Sequence, residues 1–256
     1  RGESAVRSVE MMRTAQMIVE ECVALRPGEQ VAVIGDTETV PIAEVLAQAA
    51  HGAGGEVVIC IMTPREQHGN EPPPILAAAM RASDVMLMAV THSITHTTAR
   101  KEASARGARA CVLRSVTIDT MVHGAATADY RAVRALTQEL VGMLNAGRAV
   151  RVTSPEGTDL SLRLEGRQAL GLDGFATEPG TFTTIPSGES AIVPLEGSAS
   201  GVIVFDHAID NVGGLDAPIR AEVQAGRIVR VEGGRAADRL RRLLEADQNA
   251  PNIAEF

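Results

Sequence analysis

Apolar residues recur at near-helical spacing over residues 5–26, at Val6, Val9, Met12, Met17, Ile18, Cys22 and Leu25, and Pro27-Gly28 closes the run. That spacing predicts an amphipathic opening helix. The pattern then turns from periodic to continuous. Residues 30–36, 56–62, 84–90 and 108–113 are short apolar runs of the length expected for strands buried on both faces. Between them, 41–51, 75–82 and 99–106 read as helices, the first stopped by Gly52, Gly54 and Gly55. Buried strands alternating with helices predict an open parallel sheet covered on both sides.

A further helix over 129–146 carries Tyr130, Val133, Leu136, Leu140 and Leu144, and after Gly147 the texture changes. Residues 149–153, 159–164 and 221–231 alternate apolar with polar positions, with turns at Pro155-Glu156-Gly157, Glu165-Gly166 and Ala225-Gly226. Alternation of period two predicts antiparallel hairpins with one face wet. A last helix over 236–246 presents Arg239, Arg241 and Arg242. The expected fold is therefore α/β in class: an N-terminal open parallel-sheet α/β domain over 1–147 and a C-terminal β-rich α+β domain over 148–256.

Composition narrows the function classes. The formal charge of −8, from 24 Lys+Arg against 32 Asp+Glu, argues against nucleic acid or an anionic membrane as partner. No apolar run approaches the roughly 18 residues of a membrane span. Cys22, Cys60 and Cys111 lie singly in apolar segments and read as reduced core residues of a cytoplasmic protein. No Gly-x-Gly-x-x-Gly follows a strand, and Gly52-Ala53-Gly54-Gly55 precedes one, the wrong context for a phosphate cradle.

The residues that could carry chemistry fall in three places. Thr91-His92-Ser93-Ile94-Thr95-His96-Thr97 follows the third strand, at the carboxyl end where open α/β sheets bind ligands. His96 is the better candidate there; His92, flanked by hydroxyl residues suited to capping, reads as structural. Arg65 and His68, after the second strand, are candidate substrate contacts on the same sheet edge, with a solvated loop the preferred reading; His51 reads as the end of a helix, and His123 and His207, near turns, as incidental. In Pro186-Ser187-Gly188-Glu189, the glycine lets the chain turn and present Glu189 from a sheet rim. Glu255, in Asn252-Ile253-Ala254-Glu255-Phe256, is a second carboxylate.

The Pro186–Glu189 stretch, with Pro194 and Gly201-Val202-Ile203-Val204 after it, resembles the first metal-ligand segment of the aminopeptidase T and aminopeptidase S metallopeptidases. The Asn252–Phe256 stretch resembles their second. Glu255 lies 66 positions (255 − 189) beyond Glu189, close to the spacing that resemblance implies for two metal-binding glutamates. The likeness extends to a sister group, the 2,5-dihydroxypyridine dioxygenases, built on a similar scaffold around one non-haem iron.

What the resemblance implies is a homodimeric metalloenzyme that acts on a peptide or other small molecule. Glu189 and Glu255 would hold zinc, cobalt or manganese in an aminopeptidase-like hydrolase, with Glu189 also at the catalytic centre. In a ring-cleaving dioxygenase they would hold iron(II), with His96 as proton acceptor. A non-catalytic binding protein on the same scaffold is the third reading. The remaining ligands of the resemblance, including a His-x-Asp, have no counterpart in residues 1–256 and are expected beyond Phe256.

Overall fold

The computed structural model describes residues 2–256, with side chains from Ser8 onward, so Val6 of the opening helix lies outside the described side chains. Helix α1 (Gly2–Met17) passes into a π-turn at Ile18–Cys22 that buries Ile18, Val19 and Cys22. Then β1 (Gln30–Asp36), α2 (Val40–Gly52), β2 (Glu56–Met62), α3 (Pro74–Ala82), β3 (Val85–Val90), α4 (Thr98–Ala105) and β4 (Arg109–Arg114) alternate as the apolar runs predict. The short α5 (Ile118–Val122), closed at its start by a Thr117/Thr120 capping box, and α6 (Tyr130–Ala146) complete this half.

The later half runs through β5 (Ala149–Thr153), β6 (Asp159–Arg163), β7 (Ala169–Leu172), β8 (Phe182–Thr184), β9 (Glu189–Ile192) and β10 (Ser200–Phe205). It continues with β11 (Ala208–Ile209), β12 (Gly213–Gly214), β13 (Ile219–Gln224), β14 (Arg227–Glu232) and α7 (Arg235–Glu245).

Two compact units result. The first comprises Arg1–Gln138 and Leu172–Glu189, the second Glu139–Gly171 and Ser190–Phe256. In the first, strands in the order β2-β1-β3-β4-β8 form a sheet whose pairings are all parallel. One face packs Val31, Val33 and Leu87 against Met11 of α1 and Ile42 and Leu46 of α2. The other packs Ala32, Ile34, Met86 and Met88 against Leu76 and Met80 of α3 and Ala99 and Ala103 of α4. Cys22 and Cys111 are buried and free, and burial pushes the Cys22 thiol up to about 12. Such a thiol is not a nucleophile near neutrality.

Two features of this sheet depart from the expectation. Strand β2 is its edge, so Val58, Ile59 and Ile61 are exposed although the run is continuously apolar. Strand β8, from the half expected to be antiparallel, joins as the fifth parallel strand, with Ala110, Cys111 and Val112 in register with Phe182, Thr183 and Thr184. The whole Leu172–Glu189 segment accompanies it into the first unit.

The second unit holds an antiparallel sheet in the order β14-β13-β10-β6-β5. Burial alternates along β6 and β13, as the period-two pattern requires. Leu160, Leu162 and Val223 form one core cluster, and Ile219 with Ala237 and Leu240 of α7 forms another.

Candidate functional site on the carboxyl edge of the parallel sheet

From β1 the chain crosses to β2 through α2 on one face of the sheet, and from β3 to β4 through α4 on the other. The loops leaving β1 and β3, which are neighbours, therefore diverge and open a crevice at their carboxyl ends, the place where open α/β sheets bind ligands.

Asp36, the last residue of β1, fixes the floor of this edge. It is fully buried, and its Oδ2 accepts from the Thr91 N–H at 2.6 Å while Oδ1 accepts from the Thr91 and Thr39 hydroxyls and the Glu38 N–H. The Thr39 hydroxyl also donates to the Ala89 carbonyl at 2.7 Å. A buried carboxylate is tolerated when its lone pairs are filled in this way. It ties the loops after β1 and β3 together.

The loop after β3 is pinned from both ends. Ser93 and Thr95 share a buried hydroxyl contact of 2.7 Å. Arg100, itself buried, donates from Nε to the Thr95 carbonyl at 2.7 Å and lies 4.5 Å over the Phe182 ring. Glu71 accepts from the Thr98 and Ala99 N–H groups and so caps α4. Desolvation raises its carboxyl pKa, but those backbone bonds outweigh it and leave the group below the ordinary carboxylate value.

On this frame sit the histidines. His68 comes over from the loop after β2, and its Nδ1 accepts the Ser93 N–H at 2.9 Å. That bond places the proton of the neutral ring on Nε2. The His92 ring stands against it edge-on, the centroids 5.1 Å apart. His92 Nδ1 and, in the same β2 loop as His68, Arg65 Nε are buried with no hydrogen-bond partner among the described residues. His96 is exposed, one residue before Thr97, whose hydroxyl caps α4 by accepting the Arg100 N–H.

Glu189 arrives at the same edge by a route the sequence pattern does not reveal. Because β8 runs parallel to β4, its carboxyl end points the same way as those of β1 to β4. With strands about 4.8 Å apart, the chains leaving β3 and β8, two places apart in the sheet, emerge about 10 Å from one another. The turn that follows β8 is held by the Ser187 hydroxyl and the Gly188 N–H, both donating to the Leu172 carbonyl. The buried Tyr130 hydroxyl, hydrogen-bonded to the Ser187 backbone, donates to the Ala125 carbonyl. Gly188 takes a positive φ of 122°, which glycine adopts without strain. Glu189 is exposed, and its carboxylate makes no hydrogen bond or ion pair with a described residue.

Glu255 belongs to the second unit. The chain around it is laid along that unit's backbone: Ile253 donates to the Gly226 carbonyl at 2.8 Å, and Phe256 and Ile192 exchange two backbone bonds of 2.7 and 3.0 Å. Its carboxylate is exposed and also lacks a partner among the described residues. Both glutamates thus fit as oxygen donors open to a divalent cation. Among the described residues no cluster of three or more His, Cys, Asp or Glu forms. From sequence, His92 reads as structural, and His68 and Arg65 as a solvated loop on an edge where they could touch substrate. The structure brings His92 and His68 edge to edge, and His96 is exposed on the loop that carries His92.

A family model for 2,5-dihydroxypyridine 5,6-dioxygenase matches residues 10–254. Comparison with curated protein sequences gives no significant match. Among solved structures, a 2,5-dihydroxypyridine dioxygenase from Pseudomonas putida KT2440 superposes with a TM-score of 0.80 at 19% identity, covering 97% of this chain and 75% of the other. Wild-type AmpT from Thermus thermophilus superposes at 0.71 and 18% identity, covering 96% of this chain and 77% of the other. At these identities the two likenesses speak for the fold. No described helix is long and apolar enough to cross a membrane.

Proposed function

The chain belongs to the 2,5-dihydroxypyridine 5,6-dioxygenase family, and from that premise we propose that it is a metal-dependent enzyme that opens a dihydroxylated pyridine ring with molecular oxygen. The family match across residues 10–254 is the observation that carries this reading.

Glu189 would supply a carboxylate donor to the metal, iron(II) in this reaction, and Glu255 would be a second. The bound metal would supply open positions where oxygen and the substrate hydroxyl meet. The protein's own contribution is placement. The Ser187 and Gly188 bonds to Leu172 keep the backbone of the Glu189 turn fixed, so only the side chain has to be ordered when the cation arrives. His96 stands exposed on a loop pinned by Thr95 and Thr97. It takes the proton from the substrate hydroxyl, work for which imidazole is suited near neutral pH.

A hydrolytic reading, an aminopeptidase using zinc, cobalt or manganese, is favoured by one observation, the superposition on AmpT. One experiment separates the two. Metal content after dialysis is measured for wild type, Glu189→Gln and Glu196→Gln, with oxygen uptake on 2,5-dihydroxypyridine and peptide cleavage assayed alongside. Glu196 is the control, because its exposed carboxylate is paired with Arg167. Glu189→Gln is expected to lose at least tenfold in metal affinity, about 1.4 kcal/mol, and oxygen uptake with it. Unchanged occupancy in Glu189→Gln would remove that residue from the metal. Peptide cleavage without oxygen uptake would replace the dioxygenase by the hydrolase, and neither turnover would leave a binding protein.

A further inference from the structure

The histidine pair at the crevice between β1 and β3 has a chemistry of its own, independent of the glutamates. We infer that this edge is a binding site for the carboxylate of a small organic acid, received by His92, His68 and Arg65.

A buried polar atom without a partner costs about 1–3 kcal/mol, and native proteins keep few. Four such side-chain atoms occur among the described residues: Arg65 Nε, His92 Nδ1, Arg109 Nε and Arg167 Nε. The latter two belong to guanidinium groups already paired with a carboxylate, Arg109 through both terminal nitrogens on Glu29 and Arg167 through Nη2 on Glu196. Arg65 and His92 make no hydrogen bond or ion pair with a described residue. Both lie on loops that leave the carboxyl ends of strands flanking β1, where the crossovers diverge.

The donor character of the site follows from the hydrogen bonds already made. His68 accepts at Nδ1 from the backbone, so it presents an N–H outward from Nε2. Arg65 can only donate. A ligand that meets these groups must bring acceptor oxygens, and His92 completes the set by carrying its proton on Nδ1.

Charge selects a single negative charge over a double one. Asp36 lies beneath the edge, although its oxygens are filled by Thr91, Thr39 and Glu38. Glu38 and Glu66, both exposed, lie on the loops after β1 and β2. A phosphate dianion would meet more repulsion from these three than a carboxylate would. No glycine-rich turn follows β1 to cradle a phosphate, because the residues there are Thr37-Glu38-Thr39.

The test uses the whole chain without added metal, which keeps its outcome separate from that of the ring-cleavage reading. Benzoate is titrated by calorimetry, with benzamide as its neutral analogue and inorganic phosphate as the dianion, and the side-chain nitrogen signals of His68 and His92 are followed by NMR. Benzoate is expected to bind saturably and to shift the His92 Nδ1 signal. Benzamide and phosphate are each expected to bind at least tenfold more weakly. Arg65→Gln and His92→Phe are expected to lose at least tenfold in benzoate affinity, and His123→Gln, an exposed histidine elsewhere in the unit, to lose nothing. The NMR arm reads the wild-type protein, so a misfolded variant does not blunt it. Failure of benzoate to bind, binding that leaves both histidine signals in place, or equal binding of benzamide would each overturn the inference.

Discussion

The two sheets of this protein keep their charged residues in opposite ways. In the parallel sheet, polar groups are drawn inside and locked at its two edges, Asp36 and Arg100 at the carboxyl edge and Arg109 with Glu29 at the amino edge. Asp36 is fully buried, Arg100 is buried under the Thr95 carbonyl, and Arg109 is buried in a two-pronged pair with Glu29 of 2.6 and 3.1 Å. In the antiparallel sheet the pairs lie open to water, Arg151 with Asp159, Arg163 with Glu165 and Arg230 with Glu232. Burying a charge demands a fixed set of partners, whereas an exposed pair contributes little and constrains little. The first arrangement holds loops still enough to carry chemistry, and the second serves solubility. Substitutions at Gly201, Gly174, Glu29 and Asp159 probe that contrast.

The largest effect is expected where backbone packing, and not charge, sets the limit. Gly201 in β10 has a φ of 135°, and a Cβ placed there would lie 2.0 Å from the Asp159 carbonyl oxygen on the neighbouring β6. Gly201→Ala must therefore strain its own backbone and push a paired strand aside. These are penalties of about 1–3 kcal/mol each, so a loss of about 4 kcal/mol in unfolding free energy by urea titration is the expected outcome. Gly174 is the counterpart in the first unit: at φ 94° its added Cβ would meet the Tyr130 ring at 2.2 Å. A side chain can yield where a strand cannot, so Gly174→Ala should cost less than Gly201→Ala. The reverse order would show the antiparallel sheet to be the softer of the two.

Next comes the buried pair. Removing Glu29 leaves the Arg109 guanidinium under cover without a counter-charge, and Glu29→Ala is expected to cost about 3 kcal/mol. Desolvation alone would raise the Glu29 carboxyl, yet hydrogen bonds from the Arg109 side chain and the Arg26 N–H bring it below its usual value. A carboxylate depressed in the folded state stabilises it above the unfolded value of about 4.5, and that contribution disappears as pH falls through the folded value. Wild type should therefore lose stability in acid more steeply than Glu29→Gln. Parallel curves from pH 6 to pH 3 would show that the pair contributes nothing net.

The sequence made the two textures legible because burial leaves a periodic trace. Continuous runs at β1 and β3 and alternation at β6 and β13 are read directly from the order of apolar residues. Strand order leaves no such trace. The edge position of β2 and the arrival of β8 beside β4 depend on contacts between distant segments. The same holds for the site. Glu189 was recognisable from its local Pro-Ser-Gly-Glu context, but its place on the parallel sheet's edge was not, because that rests on the three-residue β8. His68 and His92, 24 positions apart (92 − 68), resembled loop residues until the order β2-β1-β3 brought their loops to one crevice. A signal was available: both follow apolar strands at their carboxyl ends, and a crossover that changes faces would have marked the loops after β1 and β3.

The smallest effect completes the contrast. Arg151 of β5 reaches diagonally to Asp159 of β6 through two hydrogen bonds of 2.8 Å, geometry as good as that of the buried Arg109 pair. Their pKa values move apart for that reason. The Arg151 hydrogen bond holds Asp159 below the usual carboxylate value, and the same contact raises Arg151. Both groups are fully in water, however, where solvent and salt screen the attraction and freezing two side chains costs entropy. Asp159→Asn keeps the size of the side chain and its place on the strand while removing the charge. Its urea midpoint is expected to coincide with that of wild type in 0.15 M salt and to separate from it, if at all, only at low ionic strength. A loss as large as that of Glu29→Ala would mean that the second sheet relies on its surface pairs as the first relies on its buried ones, and burial would cease to be the variable that distinguishes the two.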